Sequence, residues 1–279
     1  AAAASGTFMT SSPQGRVLIV AGSDSGGGAG IQADIKSVTA MGGFAMTAVT
    51  AITVQNTLGV SAIHEVPLEI VVGQMRAVLD DLGADAVKTG MLHSAAIVEA
   101  VAEELSRSEA LLPLVVDPVM VAKGGASLLE DSAVAAIREV LIPLSALVTP
   151  NVPEAEVLTG RKIHDVEGQK AAADALLGIG AEAVLLKGGH LPGDIIFDVL
   201  ATQETMQVFS SPRIDTRHTH GTGCTLASGI AALIAQGLDF TAAVATARDY
   251  VHEAIRTAPG FGKGHGPLNF LAAIDEDED

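Results

Sequence analysis

The sequence has little cysteine, few aromatic side chains and few basic residues. Cys224 is its one cysteine, which excludes a disulfide within the chain and fits a protein of the reducing cytoplasm. Lysine and arginine number 16 against 33 acidic residues, and the net charge of −17 argues against nucleic acid as a partner, because phosphate backbones bind basic patches. No apolar run reaches the roughly 18 residues that span a bilayer, so no membrane partner is expected.

Residues 16–270 are predicted to form a single domain, because no internal repeat and no linker rich in proline, glycine or serine divides them. Residues 1–15 lack the basic and then apolar pattern of a secretory signal, and we expect a flexible leader or a cloning remnant there. Residues 271–279 include IDEDED and are expected to be an acidic tail.

Short β-branched apolar runs alternate with longer segments of helical spacing. This alternation predicts an α/β fold, with a central, mostly parallel sheet flanked by helices on both faces. Two runs that follow each other closely, Ile195–Ala201 and Met206–Phe209, predict an antiparallel edge. The other predicted strands lie at 17–21, 45–54, 84–88, 114–117, 146–149 and 183–187, and the predicted helices at 29–41, 68–82, 94–106, 131–141, 153–159, 166–178, 224–236 and 240–257.

Polar or glycine-rich segments follow nearly every predicted strand. In open α/β sheets, ligands bind outside the carboxyl ends of the strands, so these segments predict one large site. In chain order they read GSDSGGGAG, QN, KTGM, DPVM, TPNVPE, KGGH and HTHGTGCT.

The first glycine loop, AGSDSGGGAGIQAD at 21–34, contains a G-x-G-x-x-A match at 28–33. A dinucleotide site would need its first glycine directly after the strand and an acidic residue about 20 positions on, and neither is present. No Walker A motif occurs. A sharp turn needs one or two glycines, so the five glycines of this loop favour close approach by a ligand.

The second glycine loop, Gly221-Thr222-Gly223-Cys224, directly precedes a predicted helix. Successive backbone N–H groups at a helix start bind phosphate, so we predict an anion site here. We place the helix start at Cys224 and expect the helix terminus to lower the pKa of the thiol. A buried structural cysteine is the alternative.

These residues together resemble the ribokinase superfamily, in which an aspartate follows the Gly-x-Gly anion loop and acts as the base. Cys224 replaces that aspartate, and with this difference residues 16–270 are similar to the bacterial hydroxymethylpyrimidine/phosphomethylpyrimidine kinases of thiamine biosynthesis. The family string GHGPLN usually ends in histidine, and Phe270 stands in its place. The other shared strings are AGSDSGGGAGIQADIK, TAVTAITVQNT, VKTGML, VVDPVMVAKGG, TPNVPEAEVLTG, VLLKGGH and THGTGCT.

The resemblance implies a ribokinase-like kinase with no separate lid domain, which uses ATP and Mg²⁺. It implies that Cys224 takes the proton from the hydroxymethyl group of an aminopyrimidine, or from the phosphate of its monophosphate. The backbone of Gly221, Thr222 and Gly223 would stabilise the transferring phosphoryl group, and Lys187 would contact the ATP phosphates.

The resemblance also implies a nucleotide and metal site. Asn151 and Thr222 would bind ATP together with Lys187. Asp117 and Glu154 would hold Mg²⁺ directly or through water, as hard oxygen ligands do. For Glu154, a favourable interaction with the start of its own helix is the alternative role.

Five residues are expected to bind the pyrimidine. The Gln55 amide donates and accepts at once, which suits a ring nitrogen beside an amino group. Asp34, in the first turn of the helix after the glycine loop, would bond the hydroxyl or amino side, unless it only complements the helix dipole. Gly22 would let the ring approach the backbone, and Met91 and Val119 would pack on its faces, with plain core packing as the alternative for Met91.

Several expectations remain beside these. VAKGGASLL at 121–129 resembles the family's flap, with glycines as hinges. His190, His218 and His220 lack convincing metal-ligand spacing and are interpreted as loop hydrogen-bonders. The family suggests a homodimer. Pyridoxal kinase activity, alone or as a second activity, is the nearest alternative function. A sugar kinase, which would have an aspartate in the anion loop, a dinucleotide oxidoreductase and a catalytically inactive ligand-binding protein are the others.

Overall fold

The computed structural model describes residues 12–107, 111–120 and 131–272. Nine strands form one sheet in the order β3-β2-β1-β4-β5-β6-β7-β8-β9. Pairing is parallel from β2 through β1 to β7, and antiparallel between β2 and β3 and from β7 to β9. The strands are β1 (Arg16–Asp24), β2 (Phe44–Asn56), β3 (Gly59–Glu65), β4 (Ala86–Thr89), β5 (Leu114–Val116), β6 (Leu147–Val148), β7 (Ala183–Leu186), β8 (Ile195–Thr202) and β9 (Met206–Pro212).

Helices cover both faces of this sheet. Leu18 and Val20 of β1 face the core under one set of helices, while Val17 and Ile19 face the core under the other, so a strand buried on both faces has no apolar alternation. The helices are α1 (Gly30–Ala40), α2 (Leu68–Asp81), α3 (Ala95–Ser106), α4 (Asp131–Ala136), α5 (Val152–Thr159), α6 (Val166–Ile179), α7 (Thr222–Ala235) and α8 (Phe240–Arg256). Helices α1, α7 and α8 lie on one face, and α2 to α6 on the other.

The predicted fold class and the antiparallel edge are confirmed, and β3 is the strand that the sequence did not reveal. The sequence of β3, GVSAIHE, is mostly exposed and has no sustained apolar run. Helix α4 is shorter than predicted, because a π-helical turn at Ile137–Leu141 follows it. Helix α7 begins at Thr222, two residues before the predicted start.

Two residues of the expected leader hydrogen-bond to the segment that leads into β2. Gln14 N–H donates to the carbonyl of Gly42, and Phe44 N–H donates to the carbonyl of Gly15, so the last residues of the expected leader already belong to the fold. The predicted flap and the acidic tail lie outside the described residues, apart from the tail's first two positions. Among the helices that the structure describes, none combines the length and apolar character needed to cross a bilayer.

Candidate active site

A cavity of about 1090 Å³ opens at the carboxyl ends of the parallel strands. The start of α7 forms part of its wall. All predicted site residues except Asp34 line it: Gly22, Gln55, Met91, Asp117, Val119, Asn151, Glu154, Lys187, Gly221, Thr222, Gly223 and Cys224. The position of polar segments after buried strands therefore predicts the location of the cavity correctly.

The two glycine loops touch each other inside this cavity. Gly221 has a φ of 84°, and a Cβ there would overlap the carbonyl group of Gly28, so both backbone conformation and space require glycine. The Thr222 hydroxyl donates to the carbonyl of Thr219 at 2.7 Å and closes the turn that leads into α7. The backbone N–H groups at this helix start supply the donors expected of an anion site.

The charged pair beside the anion loop is Lys187 and Asp117. Lys187 Nζ lies 3.0 Å from Asp117 Oδ1, and both side chains are largely buried. Burial opposes the charge of Lys187, but Asp117 and Glu154 outweigh that effect and hold the pKa of the lysine above its ordinary value. A Cβ at Gly223 would lie 3.2 Å from Lys187 Nζ, so the ammonium stands directly against the start of α7.

Glu154 and Asn151 cap α5 reciprocally. The Asn151 side chain accepts from Glu154 N–H at 2.9 Å, and Glu154 Oε2 accepts from Asn151 N–H at 2.8 Å. The structural alternative for Glu154 is thus realised, but the carboxyl also lines the cavity. Burial raises the pKa of Glu154 to about 7, with Asp117 acting in the same direction and Lys187 against it.

Asp117 and Glu154 fit a magnesium ion as a partial ligand set. Thr149 and Lys187 both donate to Asp117 Oδ1, while Oδ2 faces the anion loop at Gly223. In the described ranges, no three or more histidine, cysteine or acidic side chains are grouped as a complete metal site. Magnesium usually keeps several waters and takes one or two carboxylates plus substrate phosphates, which agrees with this pair.

The thiol of Cys224 differs from expectation in its acidity. Cys224 is the third residue of α7, and α1 begins at Gly30, whose N–H hydrogen-bonds to the thiol and lowers its pKa. Burial nevertheless raises the pKa of the thiol to about 12, with Asp34 and Asp117 adding to the increase. The predicted lowered pKa is therefore wrong for the protein without ligands, because removal from water outweighs the favourable helix terminus.

Asp34 lies beneath the cavity and does not line it, which corrects its predicted contact with substrate. The carboxylate is fully buried, accepts from Lys88 Nζ at 2.8 and 2.9 Å and accepts from the Ser228 hydroxyl at 2.7 Å. Asp34 is the fifth residue of α1 and so lies beyond its first turn. Lys88, which sequence reasoning missed, lines the cavity, and the signal for it was a lysine within a short buried strand.

Asp24 organises the first glycine loop. Its carboxylate accepts from the N–H groups of Gly26, Gly28 and Ala29 at 2.7, 3.1 and 2.8 Å, and its Oδ2 lies 2.9 Å from His220 Nε2. Burial alone would raise the pKa of Asp24, but these hydrogen bonds hold it below its ordinary value. His220 is a loop hydrogen-bonder, as predicted, and it joins the two glycine loops; sequence reasoning missed Asp24.

The part of the cavity between Gln55 and Met91 offers both polar and apolar contacts. Gln55 Oε1 accepts from the Thr53 hydroxyl at 3.1 Å, and Gln55 Nε2 lies 3.3 Å from His220 Nε2. Met91 packs with Val119 in a small apolar cluster. The Met91 methyl occupies the space that a Cβ on Gly22 would need, so in this structure Gly22 accommodates Met91 directly.

Comparison with known proteins gives consistent matches. A family model described as phosphomethylpyrimidine kinase matches residues 24–269. The chain is 48% identical to the hydroxymethylpyrimidine/phosphomethylpyrimidine kinase of Bacillus subtilis, over 92% of this chain and 95% of that protein. It is 51% identical to the thiamine biosynthesis bifunctional protein ThiED of Geobacter sulfurreducens over 96% of this chain, but spans 54% of that longer protein.

The structural comparison agrees with these matches. The structure of the pyridoxal kinase from Staphylococcus aureus in complex with AMP-PCP and pyridoxal has a TM-score of 0.86 and is 32% identical, covering 93% of this chain and 94% of that chain. The family model covers most of the chain, including the first glycine loop from Asp24 onwards, the whole second glycine loop and Lys187. The chain therefore belongs to the phosphomethylpyrimidine kinase family.

Proposed function

We propose that this chain transfers the γ-phosphoryl group of ATP to the hydroxymethyl group of 4-amino-5-hydroxymethyl-2-methylpyrimidine, and then phosphorylates the monophosphate to the diphosphate, in thiamine biosynthesis. The observation that carries the proposal is the meeting of the anion loop, Lys187 and Cys224 in one cavity with Gln55. Membership of the phosphomethylpyrimidine kinase family supports the choice of acceptor.

The phosphate end of the site binds the nucleotide. Lys187 contacts the phosphates of ATP, with Asn151 and Thr222 as further contacts to the nucleotide. The N–H groups of Gly221, Thr222 and Gly223 stabilise charge on the phosphoryl group in transfer, where preorganised donors contribute most to the rate.

Asp117 and Glu154 would hold Mg²⁺, at least partly through water. When bound, the ion neutralises charge on the phosphates. Asp117 also keeps Lys187 in place through the 3.0 Å ion pair, and Glu154 keeps Asn151 in place through the reciprocal cap.

The acceptor end recognises the pyrimidine. Gln55 donates and accepts hydrogen bonds with the aminopyrimidine edge. Met91 and Val119 pack against the ring, and Gly22 makes room for Met91. Asp34 acts from beneath the site through Lys88, without contacting the substrate.

Cys224 takes the proton of the acceptor. Its raised pKa makes the thiolate a minor form before substrates bind, and also a strong base once formed. The transition state of phosphoryl transfer is loose, so the hydroxyl proton leaves late and positioning of the reactants supplies most of the rate.

A second candidate function is phosphorylation of pyridoxal, alone or as a second activity. The observation that favours it is the similarity to a pyridoxal kinase structure that contains pyridoxal itself. Family kinship further supports a cytoplasmic homodimer that acts on small molecules, without nucleic acid or membrane as partners.

The test is mass spectrometry of the products formed with ATP and Mg²⁺, with hydroxymethylpyrimidine, its monophosphate and pyridoxal offered in competition. We expect pyrimidine monophosphate first and diphosphate later. Pyridoxal phosphate as the main product would favour the second candidate, and the absence of phosphorylation of all three acceptors would contradict both.

A further inference from the structure

Lys88 is a buried cation at the base of the cavity. The proposed reaction does not use its ammonium group directly. Its side chain is fully buried, and Nζ binds both carboxylate oxygens of Asp34. A buried ion pair adds little to stability on its own, because desolvation offsets the attraction between the charges. Its position beside the reacting groups therefore calls for a functional explanation.

The ion pair supports the same face of α7 that carries the thiol. Cys224 and Ser228 are four residues apart on this helix and so lie on one face. The Ser228 hydroxyl donates to Asp34 Oδ1 at 2.7 Å, which ties that face to the ion pair. A Cβ at Gly90 would lie 3.0 Å from Lys88 Nζ, so glycine there leaves no side chain between the ammonium and the cavity.

Four charged groups from four parts of the fold interact electrostatically with the Cys224 thiol. Asp34 on α1 and Asp117 after β5 disfavour a thiolate, as does burial. Lys88 on β4 favours it most strongly, and Lys187 after β7 also interacts favourably with it. Without Lys88, the carboxylates of Asp34 and Asp117 would outnumber the one remaining cation, Lys187, so the buried thiolate would be less stable.

We propose that Lys88 is a positioning residue of this kinase, whose ammonium, held by Asp34, stabilises the thiolate of Cys224 before that thiolate accepts the proton of the acceptor. The inference rests on the proposed function, in which Cys224 takes this proton. The acceptor oxygen forms a bond to the γ-phosphorus, the bond from that phosphorus to the bridging oxygen breaks with its electron pair staying on ADP, and the acceptor proton passes to Sγ.

The single cysteine makes a direct test possible, because alkylation of the whole chain by iodoacetamide reports on Cys224 alone. The rate of alkylation is measured against pH for the wild type, for K88M and for D34N/K88M. The double variant removes both charges of the ion pair, so it leaves neither charge buried without a partner. At about pH 8 we expect D34N/K88M to react about tenfold more slowly than the wild type, which corresponds to a rise of one unit in the pKa of the thiol.

The controls separate this electrostatic role from a structural one. K162M removes a lysine whose side chain is 77% exposed, and it should react like the wild type. D34N/K88Q is a second neutral pair that retains hydrogen bonding, and it carries the same expectation as D34N/K88M, so the test survives misfolding of either variant. Circular dichroism establishes which variants are folded.

The result that overturns the inference is an alkylation rate in a folded neutral-pair variant that equals or exceeds that of the wild type. The turnover number should also fall at least about tenfold in the same variant, while the KM of ATP stays within about twofold. Alkylation of Cys224 needs no acceptor substrate, so it tests the relation between Lys88 and the thiol independently of the kinase reaction. If the wild type is alkylated at the expected rate but phosphorylates no acceptor, the proposed function is contradicted and the relation between Lys88 and the thiol is not.

Discussion

At the scale of single residues, the site depends on buried charges that are paired in an ordered way. Lys187 pairs with Asp117, and both residues line the cavity. Lys88 also lines the cavity and pairs with Asp34, which lies beneath it. The resemblance of the sequence to the kinase family predicts roles for Lys187 and Asp117, and each is the last residue of a predicted strand. It did not reveal that Asp34 faces a lysine, since that depends on how α1 packs on β4.

Replacement of Lys187 by methionine should remove the cation that the phosphate end requires. We expect the turnover number to fall about 100-fold or more, as in other sites that lose one preorganised group. The measurement is steady-state kinetics with the pyrimidine acceptor, with the exposed Lys263→Met as control. Equal rates in the Lys187 variant and the control would contradict the role of Lys187.

Replacement of Gln55 by alanine should weaken binding of the acceptor and leave binding of the nucleotide unchanged. The loss of a buried hydrogen-bonding partner costs about 1–3 kcal/mol, so the KM of the pyrimidine should rise about tenfold. The KM of ATP serves as the internal control. An effect confined to ATP would show that Gln55 has been assigned to the wrong end of the cavity.

Glu154 should make stability depend on pH. Its pKa is raised in the folded protein to about 7, so the stability it contributes is present below the pKa of the unfolded chain and is lost as pH rises through the folded pKa. The free energy of unfolding of the wild type should therefore fall relative to that of E154Q between about pH 4.5 and 7, by up to about 3 kcal/mol.

E154Q is a suitable comparison because glutamine can still complete the cap with Asn151. The measurement is urea denaturation of both proteins at several pH values. A difference between them that does not change over this range would contradict the raised pKa of Glu154.

At the scale of elements, the contact between the two glycine loops sets the geometry of the anion site. Gly221 combines a positive φ with contact to the backbone of Gly28, whereas Gly237, after α7, also has a positive φ but has no heavy atom within 4 Å of a built Cβ. An alanine at Gly237 therefore loses stability only through its backbone conformation, whereas an alanine at Gly221 also collides with the backbone of Gly28.

G237A should lose about 1–2 kcal/mol of stability, from the left-handed conformation alone. G221A should lose more than G237A, and it should also lose most of its kinase activity, because the loop must move away from Gly28. Thermal unfolding and initial rates of both variants test this. Similar stability and similar activity in the two variants would contradict the proposed contact.

Element prediction from the sequence succeeds where the signal is local and fails where it is tertiary. The start of α7 beside two glycines and the apolar runs of β1 and β2 are local patterns, and the structure agrees with them to within a few residues. β3 was not predicted because its pairing with β2, and not its own composition, makes it a strand. The acidity of Cys224 was predicted wrongly for the same reason, since burial and the charges of Asp34 and Asp117 come from other elements.

At the scale of the whole molecule, one mostly parallel sheet brings the separate polar segments to a single edge. That edge could be predicted because each segment follows a strand and the carboxyl ends of parallel strands meet. The hydrogen bonds there, such as Asp24 with His220, join residues 196 positions apart and have no local signature. The molecule therefore presents one cavity in which both phosphorylations are proposed to occur.

The most direct test of the account is a phosphorus NMR time course with ATP and Mg²⁺, started either from hydroxymethylpyrimidine or from its monophosphate, and run with the wild type and with C224S. The wild type should produce the monophosphate and then the diphosphate. C224S should slow both steps by a similar factor of about 10² to 10⁴, because one group handles the proton in both. A variant that loses the first transfer but makes diphosphate from monophosphate at the wild-type rate would contradict a single site for both reactions.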